Sequence, residues 1–214
     1  MNGPDQGAGS QLDALRDAQW IAVDSPWGKP SNALLVGHIG TTRCVFLPRH
    51  GRGRRIGPSQ LNSRANIDIM KPAGVTDLLS VSAVGSLCED KAPGHFVCVD
   101  QFIDRTTARD KSFFGEGLVA HVSMADPVRP RLSALAHDAA QATGTKVHAR
   151  ATYIAMEGPQ FSSRAEAAGL PYDVDMPVGH GIEGAGIKRG ADHGPSVIEL
   201  GPLCKGDAQP LRMA

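Results

Sequence analysis

Arg49-His50-Gly51-Arg52 closes the apolar run Cys44-Val45-Phe46-Leu47 and opens a loop that also holds Arg54 and Arg55. A second loop, Ser82-Ala83-Val84-Gly85-Ser86, again follows an apolar run directly. A guanidinium offers a planar fork of donors that matches phosphate oxygens. A hydroxyl and a backbone N–H at a strand end add donors without bulk. Open α/β sheets bind ligands at the carboxyl ends of their strands, where two such loops can converge on one oxyanion. The chemistry these residue types suggest is therefore phosphate binding.

Elements must bring those loops together. Ala33 to Ile39 and Arg43 to Leu47 read as two strands joined by a turn at Gly40. Ser59 can cap a helix from Gln60 with Leu61, Ala65 and Ile69 on one face. Asp77 to Ala83 and His95 to Ile103 read as further strands. Pro130 can start a helix to Ala142 that buries Leu132, Leu135, Ala136 and Ala139 and stops at Gly144. Val147 to Met156 then alternates as a strand. Helices alternating with strands predict an α/β fold with a mixed, mostly parallel sheet flanked by helices. An antiparallel hairpin lies near its start.

The chain has 214 residues, 41% hydrophobic and 21% charged, ordinary values for a globular protein with a substantial core. Lys plus Arg and Asp plus Glu both number 22, so anion affinity must come from local clusters rather than net charge. That balance gives no bias towards nucleic acid or membrane. Cys44, Cys88, Cys98 and Cys204 lack metal-type spacing and read as reduced thiols of a cytoplasmic protein. No apolar stretch has the length of a membrane span, and the first residues lack a signal-peptide pattern. The histidines show no zinc-type spacing, so no metal is expected. There is no Gly-x-Ser-x-Gly elbow to support hydrolase chemistry.

Longer motifs then occur in order. They are Val23-Asp24-Ser25-Pro26-Trp27-Gly28-Lys29-Pro30-Ser31, Arg49-His50-Gly51, Asn62 with Ala65-Asn66-Ile67, and Ser82-Ala83-Val84-Gly85-Ser86-Leu87. Asp100-Gln101-Phe102-Ile103-Asp104-Arg105-Thr106-Thr107 and Glu157-Gly158-Pro159-Gln160-Phe161-Ser162-Ser163-Arg164-Ala165-Glu166 follow. From about Leu12 to Glu166 the chain closely resembles the methylthioadenosine phosphorylases of the trimeric purine nucleoside phosphorylase superfamily. The resemblance implies a cytoplasmic pentosyltransferase of purine and methionine salvage. It would cleave methylthioadenosine with inorganic phosphate as co-substrate, without a cofactor, to adenine and methylthioribose 1-phosphate.

By the same resemblance Arg49, His50, Ser82 and the Ala83 backbone N–H hold phosphate. Without the resemblance, the alternative for Arg49-His50 is a solvated basic turn, and that for Ser82 a strand-end hydroxyl bonding its own backbone. Arg52, Arg54 and Arg55 gain no role and read as a solvated loop. Phe161 and Ser162 correspond to the base-pocket wall. The related 6-oxopurine phosphorylases carry glutamate in place of Ser162, and a serine can instead donate to the unprotonated N1 of adenine. His121 matches a position that reaches the methylthio end from a neighbouring subunit of a trimer; the alternative is a core or interface histidine.

Two regions depart from the pattern. Residues 1–12 lack the family's first strand and read as poorly ordered, with Gly7 and Gly9 at most a remnant of a phosphate loop. The phosphorylase domain spans 13–166, and 167–214 is a divergent glycine- and proline-rich tail that reads as loop. The family's base-binding Asp-x-Asp pair is missing, because Asp173 and Asp175 come too soon after Glu166; no catalytic residue is assigned. Met176 stays open as a displaced ribose contact. The expectation is a chain truncated at both ends, its break at Ala167 being what a frameshift or gene truncation would leave, with catalysis impaired. The alternatives are phosphorolysis of methylthioinosine or another purine nucleoside, or a non-catalytic paralogue that binds anions or joins oligomers.

Overall fold

The computed structural model describes residues 14–88, 90–92, 94–158, 160, 162–163 and 166, with the strand backbones Met176–Pro177, Glu183–Ile187 and Ser196–Pro202. The expectation for residues 1–12 lies outside them. Strands run β1 (Arg16–Ile21), β2 (Leu34–Ile39), β3 (Thr42–Leu47), β4 (Asp77–Val81), β5 (Phe96–Cys98), β6 (Gln101–Asp104), β7 (Val147–His148), β8 (Thr152–Ala155), β9 (Met176–Pro177), β10 (Glu183–Ile187) and β11 (Ser196–Pro202). Helices are α1 (Ser63–Asp68) and α2 (Pro130–Gln141). The fold is α/β, with an eight-stranded mixed sheet in the order β1-β2-β3-β10-β4-β11-β5-β7 and a three-stranded sheet, β6-β8-β9.

The hairpin β2–β3 turns at Gly40, whose φ of +59° suits a residue without Cβ. Its inner face, Leu34, Val36, Val45 and Leu47, packs with Ile69 and Met70 beyond α1. Burying each such side chain stabilises the fold by about 1.5–3 kcal/mol, which fixes the register from which Arg49 leaves. Cys98 and Leu132 join a second cluster, with Leu79, Val81, Ala136 and Val147 packed against it, that seats α2 on the sheet. Arg131 Nη2 donates to the buried Asp77 carboxylate at 3.0 Å and ties α2 to the start of β4.

Several expectations change. β1 is an edge strand whose residues are nearly all exposed, so it offers no apolar alternation to read. The run from His95 divides into β5 and β6, and the run from Val147 into β7 and β8. Asn62, not Ser59, caps the first helix: its Oδ1 accepts from Ala65 N at 3.0 Å, and Pro58–Gln60 forms a separate 3₁₀ turn. In α2 only Leu132 is buried, while Leu135 and Ala139 face solvent. The tail expected as loop supplies β9, β10 and β11. Two of the five residues of β10 are glycines, so a strand paired on both edges left no side-chain period in the sequence.

The Ser25–Ser31 motif is bolted to α1. Asn62 Nδ2 donates to the Trp27 carbonyl (2.8 Å) and Ser25 Oγ to Asp68 (2.7 Å). The buried Asn66 accepts from Ser31 N and donates to Ser31 Oγ, both at 2.8 Å. Gly28, at φ +100°, could not carry a Cβ without strain, and one would lie 3.1 Å from Asn62 Nδ2. Replacing Asn66 with alanine strands the Ser31 donor in a partly buried site. Denaturant unfolding of Asn66→Ala is expected to show a loss of about 1–3 kcal/mol. Stability equal to that of the unmodified chain would mean the bolt contributes nothing.

Candidate active site

β3 and β4 both run antiparallel to β10, so they are parallel to each other and their carboxyl ends emerge at the same sheet edge. Gly184 pairs with Leu47 on one side and Ser80 on the other. Arg49 and Ser82 each follow two residues later, from strands two spacings apart, or roughly 10 Å. Arg49, His50, Ser82 and Ala83 thus leave one edge at one level. Ser82 is buried and Ala83 exposed.

The Arg49 loop is internally fixed. Gly51, at φ +71°, makes the turn, and Ile56 N donates to the His50 carbonyl at 3.0 Å. His50 Nδ1 lies 2.8 Å from the Ile56 carbonyl, which can only accept, so Nδ1 carries the proton. Nε2 is then an acceptor for Arg49 Nη2 at 3.1 Å. In this arrangement the imidazole ring orients the guanidinium, and both its nitrogens are engaged by protein. Arg52, Arg54 and Arg55 are exposed, with the Arg52 guanidinium 5.0 Å above the Trp20 ring.

Ser162 lies beyond β8. Its Oγ is buried and has no hydrogen-bond partner among the described residues, a donor and acceptor left available to a ligand. Ser163 and Glu166 form a reciprocal cap: Ser163 N donates to the Glu166 carboxylate at 2.6 Å, and Glu166 N to Ser163 Oγ at 3.2 Å. Phe161, Asp173 and Asp175 lie outside the described residues, and Met176 is described only as backbone within β9. His121 is exposed, which removes its reading as a core histidine.

Glu157 opens the last of the long motifs. Its carboxylate accepts from Ser59 Oγ (2.6 Å), from the backbone N–H groups of Thr107 and Ala108, and from Arg109 Nε (3.4 Å). These bonds pull its pKa from the ordinary 4.5 to about 2, the Ser59 hydroxyl foremost, so it is ionised at neutral pH. Its sequence signal is a charged residue two positions past the end of a largely buried strand. Burial pushes the Cys98 thiol up to about 11 and raises that of Cys44, so both are unreactive as nucleophiles. Among the described residues no group of three or more His, Cys, Asp or Glu side chains could hold a metal ion, and no helix is long and apolar enough to cross a membrane.

Residues 7–178 match the family model described as the phosphorylase superfamily. The S-methyl-5'-thioadenosine phosphorylase of Cereibacter sphaeroides is 57% identical over 157 residues, 73% of this chain and 54% of the relative. That of Geobacter sulfurreducens is 53% identical over 158 residues, covering 73% and 55%. The chain therefore spans about half the length of the curated relatives it matches. Methylthioadenosine phosphorylase from Schistosoma mansoni in complex with adenine superposes with a TM-score of 0.78 at 29% identity, covering 91% of this chain and 75% of that one.

Proposed function

The chain belongs to the phosphorylase superfamily, and from that premise we propose that it phosphorolyses methylthioadenosine to adenine and methylthioribose 1-phosphate. The observation that carries this reading is the level exit of the Arg49 and Ser82 loops from one sheet edge. Phosphate there meets the Arg49 guanidinium, the Ser82 hydroxyl and the Ala83 N–H. His50 acts through its ring by aiming Arg49. Charge-assisted bonds of this kind are about twice as strong as neutral ones.

The reaction forms a bond from a phosphate oxygen to C1′ and breaks the bond from C1′ to N9 of the base. Positive charge grows on the ribosyl ring as N9 departs, and a dianion held beneath the ring stabilises it before attacking. This is preorganised electrostatics and positioning, which together supply most of the rate in such transfers. The electron pair leaves with adenine, which then takes up a proton. No described residue is assigned as the proton donor. The Ser162 hydroxyl donates to N1 of an adenine base, a contact that a 6-oxopurine, protonated at N1, would not accept. No cofactor enters the scheme.

The segment around His121 supports assembly with further copies of the chain, in the family's trimeric manner. Phe113, Phe114, Leu118, Val119, Val122 and Met124 are all exposed, and Val119 is 77% so. A cluster of this size on a monomer's surface marks an interaction site. Burying it against a second copy would carry His121 towards the neighbour's nucleoside.

Purified full-length chain is expected to release adenine from methylthioadenosine only when phosphate is present, and faster than it releases hypoxanthine from inosine. Arg49→Ala should weaken phosphate binding by about 1.5–3 kcal/mol in calorimetry. Phosphate-independent release, a preference for inosine, or unchanged phosphate affinity would each contradict the assignment. Sedimentation of the unmodified chain should show an oligomer that Val119→Asp dissociates. A monomer at micromolar concentration would remove the interface.

A further inference from the structure

We propose that Glu157 is a positioning residue for purine binding, joining the segment that leads to Ser162 both to the turn beyond the Arg49 loop and to the loop after β6. The inference rests on the proposed nucleoside site and adds to it a residue that contacts neither phosphate nor base.

β6 and β8 run parallel, with Asp104 opposite Ala155, so both chains leave this small sheet side by side. The ladder extends one step further through Arg105 N to the Ala155 carbonyl at 2.8 Å. Beyond it the N–H groups of Thr107 and Ala108 have no opposing strand, and the Glu157 carboxylate receives both. Arg109 closes the arrangement from the other side. Its Nη2 donates to the carbonyls of Met156 (3.1 Å) and Glu157 (2.9 Å). Parallel ladders end with slanted, unpaired groups, and one carboxylate with several lone pairs satisfies more of them than any neutral side chain could.

The second connection reaches the phosphate loop. That loop closes on itself between His50 and Ile56, and the 3₁₀ turn Pro58–Gln60 follows at once. Ser59 Oγ of that turn lies 2.6 Å from the Glu157 carboxylate and 3.3 Å from the Glu157 carbonyl. Glu157 and Ser162 belong to one short segment after β8. Ser59 and Glu157 are therefore a direct bond between the chain that carries Arg49 and the chain that carries Ser162. Base and phosphate must be held at a set separation for attack at C1′, and a displacement of about 1 Å can cost roughly 100-fold in rate.

Glu157→Gln keeps the shape but leaves one acceptor oxygen where two are used. Full-length chain and variant are titrated calorimetrically with methylthioadenosine and, separately, with inorganic phosphate, and amide exchange is followed at Thr107 and Ala108. Methylthioadenosine affinity is expected to fall roughly tenfold, as loss of a charge-assisted bond would give. Phosphate affinity should stay within about twofold, since the His50–Ile56 closure is untouched, and the two amides should exchange faster. A purely structural role would instead lower both affinities together, and that result, or an unchanged nucleoside affinity, overturns the proposal. Should Glu157→Gln not fold, Ser59→Ala removes one exposed partner only, and it must show the same split to a smaller degree; no split overturns the proposal. If the unmodified chain binds phosphate but no methylthioadenosine, the functional reading fails. Exchange at Thr107 and Ala108 then decides the clamp by itself: unchanged exchange in the variant refutes it, and faster exchange supports it.

Discussion

The pairing of β10 with β3 on one edge and β4 on the other fixes how far apart, and at what level, the Arg49 and Ser82 loops begin. This is a backbone interaction, so it depends little on which side chains β10 carries. Its register is nonetheless demanding. A slip of one residue moves a strand end by about 3.3 Å and turns every side chain to the opposite face. Removing β10 would leave two rows of N–H and C=O groups in the middle of the sheet without partners, at about 1–3 kcal/mol for each group kept from water. The spacing of the two loops proposed to hold phosphate is thus set by a segment well over a hundred residues beyond Arg49 in the chain.

On that frame several parts of the candidate site are held by groups packed beside them. The Ile56 carbonyl fixes the tautomer of His50, and His50 in turn aims Arg49. Asn62, Asn66 and Asp68 hold the Ser25–Ser31 loop from one short helix. Glu157 gathers the ends of two parallel strands and a turn. Such arrangements suit the proposed phosphorolysis, in which no covalent enzyme intermediate forms. In that proposal positive charge appears on the sugar ring only as the base departs, and a phosphate dianion already held by its donors stabilises it without reorganisation. The long motifs in the sequence therefore include many residues that hold backbone and side chains in place, such as Asn62, Asn66 and Glu157.

Where buried faces repeat, the sequence was legible. The β2–β3 hairpin is legible because Leu34, Val36, Val45 and Leu47 are buried at strand spacing, whereas α2 is legible from Pro130 at its start and Gly144 just past its end, since only Leu132 of it is buried. Arg49 and Ser82 stand out as candidates because each lies within two residues of the end of an apolar run. Legibility failed where burial did not pattern the chain. β1 is exposed, and β10 owes its place to backbone pairing on both edges. Ser59 resembled a helix cap by type, yet its hydroxyl goes to Glu157, ninety-eight residues away, and nothing local announces that bond. The likeness to the Schistosoma mansoni structure covers 91% of the chain, against 73% for the Cereibacter sphaeroides relative, so fold similarity reaches further than sequence similarity.

If β10 sets the separation of the two loops, phosphate binding must depend on the tail. The most direct test is a calorimetric phosphate titration of the chain ending at Glu166 beside the full-length chain, with circular dichroism to follow the sheet. Loss of phosphate binding together with loss of strand signal is the result expected from β10 lying between β3 and β4. A shortened chain that binds phosphate as tightly as the full one would show that the loops find their positions without it.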